Sequence, residues 1–128
     1  MPYKDKEYGL RRHREYMRKM YKNPLYMKKQ RERVRAFKRR LKQEHALVLH
    51  EFRGYGCALC PEKEPCCLSA HHVDPNKKEF NVTLAYTWCI NVERLRGELK
   101  KCVCLCENCH RKVHAGRVSL PRGLLAAG

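Results

Sequence analysis

No cysteine stands before Cys57 or after Cys109, acidic residues are scarce, and no apolar run approaches bilayer length. Each gap excludes something. A membrane-spanning helix needs about 20 consecutive apolar residues, so none is expected. The opening stretch "MPYKDKEYGL" lacks the apolar core of a secretory signal, which points to a reducing cytosol. In that setting nine cysteines argue for metal binding rather than disulfides, and an odd number leaves at least one thiol outside any scheme of pairs. The 13 Asp/Glu against 29 Lys/Arg leave a formal charge of +16. Such an excess concentrates a polyanion at the surface, and nucleic acid is the commonest one. Acidic lipid, or simple solubility, are the alternative readings of that charge. With 128 residues there is room for one modest core.

The charge is uneven. Residues 1–53 hold 18 Lys/Arg against 6 Asp/Glu, whereas residues 54–128 hold 11 against 7. The chain therefore divides into a basic arm (1–53), a cysteine/histidine module (54–120) and a short tail (121–128), with the closing stretch "GRVSLPRGLLAAG" read as a short strand or coil. Strong helix formers fill the arm, and Asn23-Pro24 breaks it, predicting helices over 6–22 and 25–52. Leu41, Ala46, Leu47, Val48, Leu49 and Phe52 offer an apolar side to lay on the module. Arg11, Arg12, Arg14, Lys28, Lys29, Arg39 and Arg40 are candidate phosphate contacts, with Tyr3, Tyr8, Tyr16, Tyr21 and Tyr26 able to stack or hydrogen-bond. A solvated helix surface with no partner is the plainer reading of the same residues.

In the module, "RGYG" ends the arm and two Cys-x2-Cys pairs follow, Cys57/Cys60 and Cys106/Cys109. Each short loop can direct two thiolates at one ion, and two loops supply the four ligands of tetrahedral Zn2+. Cys66 and Cys67 compete in principle, but adjacent cysteines make a strained chelate. Cys102 and Cys104 alternate with Cys106 along a predicted strand and read as small buried residues. His71 and His72 sit together on a short β-like run ended by Asp74-Pro75, so they should face opposite ways and do different work. His110 and His114, four apart, share a helix face and can hold one ion. Asn91 is placed to cap a helix over 92–100 with Val92, Leu95 and Leu99 inward. Lys77 and Lys78 are loop cations that can reach DNA, and Trp88 is expected to anchor the loop on the core.

Cys57/Cys60, His71-His72-x-Asp74-Pro75 and Cys106-x2-Cys109-His110-x3-His114 together resemble the HNH endonucleases, the ββα-metal superfamily, most closely the small zinc-bearing members of phages and bacteria. The likeness spans Cys57 to Gly116. It implies an α+β fold: a treble-clef-like HNH module with a structural zinc, preceded by the basic arm. It further implies a metal-dependent DNA endonuclease in which His71, His110 and His114 surround a catalytic divalent ion. His72 takes the proton of the attacking water, a task that suits an imidazole with its ordinary pKa of about 6.5. Mg2+ or Mn2+ is the usual ion, with Zn2+ or Ni2+ also compatible with an imidazole-rich site. One position departs from the family pattern. Lys101 stands where a central asparagine steadies the loop that orients the base, and it could bridge that loop through a backbone contact or touch phosphate instead. A zinc-stabilised DNA-binding module with a decayed nuclease site is the alternative, and an RNA-binding zinc protein a third reading. A homodimer would ease the cutting of both strands.

Overall fold

The computed structural model describes residues 5–121 and 123; Tyr3 and most of the tail from Arg122 lie outside that range. Among the described residues the chain is mixed α/β, with four α-helices, three short 3-10 turns and one two-stranded antiparallel sheet. It divides into two compact units, up to Arg39 and from Arg40 onward.

The first unit holds helix α1 (Lys6–Tyr21) and the start of α2 (Pro24–Arg53). Asp5 caps α1 by accepting the Glu7 N–H at 2.9 Å. Asn23 caps α2 by accepting from Leu25 N–H and Tyr26 N–H at 3.0 and 3.3 Å, and Pro24 occupies the first turn, where its missing N–H costs nothing. The predicted break is thus a cap that ends one helix and starts another. No residue of α1 is buried.

The second unit begins at Arg40 rather than Gly54, where the charge shifts. The reason is a stripe on α2, Leu41, His45, Val48 and Phe52, spaced to share one helix face. Leu41 and Val48 are buried, while Ala46 and Leu47, expected on that face, are exposed. His45, absent from the apolar side read in the sequence, is buried, and its Nε2–H donates to the Ile90 carbonyl at 2.7 Å. Gly56 then turns the chain with φ +72°, a conformation that favours glycine.

Strand β1 (Leu68–His72) pairs with β2 (Cys102–Cys106), His71 opposite Val103 and His72 opposite Cys102. Helix α3 (Val92–Leu99) lies between them in sequence, and its cap is the predicted Asn91, accepting the Arg94 N–H at 2.9 Å. Leu95 and Leu99 join Val48, Phe80, Ala85 and Ile90 in one apolar cluster. Leu68, Val103, Cys104 and Leu105 form a second, beneath helix α4 (Glu107–His114). Cys104 is buried as expected, whereas Trp88 is 58% exposed and anchors nothing on the core. Phe80, Ala85 and Ile90 already fill the space under its loop, and Cys89, with φ +52°, turns the chain beside it. No helix among the described residues is long and apolar enough to cross a membrane.

Candidate metal centres and the histidine strand

The two Cys-x2-Cys pairs meet. The sulfurs of Cys57, Cys60, Cys106 and Cys109 all lie within 4.8 Å of one another, and Cys60 Sγ is 3.6 Å from Cys106 Sγ. Four sulfurs about 2.3 Å from a tetrahedral ion stand roughly 3.8 Å apart, so the set fits zinc. Local backbone builds it. Cys106 ends β2 and caps α4, its sulfur accepting the Cys109 N–H at 3.4 Å; Leu59 N–H approaches Cys57 Sγ at 3.5 Å. The Ala58 N–H donates to the Cys104 carbonyl at 2.9 Å and docks the first knuckle on β2. Burial raises the Cys57 thiol, but the backbones of Cys106 and Leu59 outweigh it and bring the pKa down to about 6. Burial and the sulfurs of Cys106, Cys60 and Cys57 push Cys109 up to about 12. Four thiolates this close would repel, so burial and that repulsion keep the proton on Cys109, and a dication would relieve the repulsion. Cys66 and Cys67 stand outside the cluster, their sulfurs 3.9 Å apart.

A second donor set lies on the histidines. The ring nitrogens of His71, His110 and His114 also fall within 4.8 Å of one another. His71 projects from β1 towards α4, where the four-residue spacing presents His110 and His114 side by side; ring centroids are 4.7 to 5.0 Å apart. His110 Nδ1 and Ser69 Oγ share a hydrogen bond at 3.2 Å, and His110 Nε2 stands 3.0 Å from His114 Nε2. At that distance the two nitrogens can share a proton or turn their lone pairs to one cation. Ligands 2.0–2.1 Å from one cation reach this separation at about a right angle, so the set fits a divalent ion. Burial, then the neighbouring imidazoles, hold His71 down to about 4, and burial and His114 lower His110 as well. Both rings are thereby kept neutral, the form that binds metal.

His72 faces the other way, as strand alternation requires. Its Nε2–H donates to Glu98 Oε1 at 2.7 Å, and Glu98, on α3, has a side chain only 1% exposed. The same oxygen accepts the Glu79 N–H at 2.9 Å, and Lys101 donates to Glu98 Oε2 at 2.9 Å. Burial raises the Glu98 carboxyl, but Lys101, the Glu79 N–H and His72 together draw it down to about 2. Lys101 also donates to the Lys77 carbonyl and to Glu79 Oε1, each at 3.1 Å. Its three hydrogens are therefore spent inside the protein. Lys101 thus bridges α3 and the loop after β1, through the Lys77 carbonyl and the Glu79 and Glu98 carboxylates.

Sequence reading missed Glu98 and Ser69. Glu98, three residues before Lys101 on a helix, looks like half of an exposed ion pair; only its place beside Leu95 and Leu99 signals an inward face. The arm cations Arg11, Arg12, Arg14, Lys28, Lys29, Arg39 and Arg40 are all exposed, as are Lys77 and Lys78 on the loop. Arg11 lies 5.5 Å from the centre of the Tyr8 ring. Comparison with protein-family models, curated proteins and solved structures finds no match.

Proposed function

We propose that the chain is a metal-dependent endonuclease of the HNH kind, hydrolysing phosphodiester bonds in DNA. One observation carries the reading. On a single strand, His71 completes a three-imidazole cluster, and the next residue, His72, is held by a buried carboxylate. With Nε2–H given to Glu98, His72 keeps its lone pair on Nδ1, where it takes the proton of the attacking water. Glu98, ionised and fixed by Lys101 and the Glu79 N–H, then offsets the positive charge that His72 acquires. His71, His110 and His114 would hold a divalent ion, which would supply Lewis-acid relief of the charge that develops on the scissile phosphate. Three neutral imidazoles suit Zn2+ or Ni2+ better than Mg2+, which prefers oxygen ligands. The tetrathiolate ion is scaffolding: it holds α4, and with it His110 and His114, against β1. The exposed cations of the arm and of the loop at Lys77 and Lys78 neutralise DNA phosphates.

Supercoiled plasmid and a single-stranded DNA circle, incubated with Mg2+, Mn2+, Zn2+ or Ni2+, each against a chelator control, test the reading. Relaxed or linear DNA is expected, with His72→Ala about 10²- to 10⁴-fold slower while its circular dichroism is unchanged. Binding without cleavage under every metal would reject the enzyme and leave a zinc-stabilised DNA-binding module.

A further inference from the structure

The cleft that holds the imidazoles has a second wall that phosphodiester hydrolysis leaves unused. Its volume is about 1010 Å³, and besides His71, His110 and His114 it is lined by α2 and by the loop after β1. Leu49, Phe52, Ala70 and Val82 pack inward on the core and still face the cleft, giving it an apolar floor. Tyr86 stands over that floor, 38% exposed, its ring edge-on to His45 at 6.4 Å. His45 is itself pinned to the Ile90 carbonyl, so the tyrosine is backed by a fixed partner. Lys42, Arg53 and Lys78 add cations to the lining.

A phosphate bound at the metal centre has no use for an apolar floor, whereas a flat base does. A base in a duplex hides both faces in the stack and offers only its polar edges to the grooves. An unpaired base can turn into a concave site and lie on apolar and aromatic side chains, while flanking phosphates meet cations. We infer that this cleft receives an unpaired nucleotide beside the scissile phosphate, so that single-stranded DNA is the preferred substrate. The inference rests on the nuclease reading above and names its substrate class.

Charge alone argues the opposite way. A duplex carries the denser row of phosphates, so a purely electrostatic binder of this basicity prefers duplex. The test is fluorescence anisotropy of a labelled DNA strand and of its duplex, at one salt concentration, with the full chain and no divalent metal added beyond the ion that copurifies. A gel confirms that each probe stays intact. Tighter binding of the single strand is expected. Ala46→Trp, at an exposed position on the cleft wall, and Tyr86→Ala should each weaken single-strand binding about tenfold and leave duplex binding unchanged. Equal or tighter duplex binding, or two folded variants that bind the strand as the parent does, would overturn the inference. Plasmid cleavage is scored separately, so the cleft assignment and the hydrolytic reading can fail independently.

Discussion

Glu98 concentrates the chemistry at the residue scale, because one buried carboxylate serves His72, Lys101 and a backbone N–H together. Glu98→Gln keeps the shape and removes the charge. Cleavage by that variant should fall at least about tenfold in kcat with KM little changed, since in the proposed mechanism the charge offsets the proton that His72 takes up during the reaction. Glu98→Ala should instead destabilise the fold by about 1–3 kcal/mol in urea unfolding, because it leaves the His72 Nε2–H and the Glu79 N–H without their buried acceptor. The pH dependence has a definite sign. Glu98 titrates at about 2 when folded against an ordinary 4.5, so below 4.5 the unfolded chain binds more protons. Its stabilisation is whole above that value and is lost as pH falls towards 2. The stability gap between the parent and Glu98→Gln, followed from pH 6 down to pH 4, should therefore begin to narrow near 4.5. Cysteine reactivity gives a further check. Burial first, then the Glu98 charge, push Cys102 up to about 12, and its thiol donates to the Glu98 carbonyl at 3.4 Å. Alkylation of the metal-loaded protein at pH 8, mapped by mass spectrometry, should mark exposed Cys66 and Cys89 and spare Cys102.

At the scale of elements, an ion held by the four cysteines would tie together the knuckle at Cys57, the end of β2 and the short helix α4. An eight-residue helix is marginal on its own, and α4 buries only Cys109. Removing the metal with a chelator should therefore unfold α4 and separate His110 and His114 from His71. Loss of helical circular dichroism that returns on adding Zn2+ is the expected result. Leu95→Ala, at a fully buried position of α3, should cost about 2–5 kcal/mol. This scale also explains what was legible beforehand. The Cys-x2-Cys pairs, the His110/His114 spacing, the opposed faces of His71 and His72 and the Asn91 cap all depend on local geometry, which residue spacing records. Glu98, Ser69 and His45 do not, because their roles depend on which face of a helix or strand meets a distant segment. Trp88 misleads for the same reason: size argues for burial, but the room under its loop is taken.

Viewed as a whole molecule, the chain separates charge from chemistry. The unit up to Arg39 carries 15 Lys/Arg against 4 Asp/Glu, and both sets of candidate metal ligands lie in the unit from Arg40. Deleting residues 1–39 should weaken DNA binding and flatten its salt dependence, since fewer counterions are released, while both ions stay bound. An unchanged slope of log Kd against log salt would remove the phosphate role of the arm. The deepest claim is that the chain holds two ions in two chemically different sets of donors. Cobalt(II) titration of the metal-free protein, followed by absorption spectroscopy, tests it most directly. Two equivalents should bind, one with intense thiolate-to-metal bands and one with the weak bands of nitrogen and oxygen ligands, and His71→Ala/His110→Ala should keep the first and lose the second. A single equivalent in the parent chain, or a double variant that still binds two, would contradict the account.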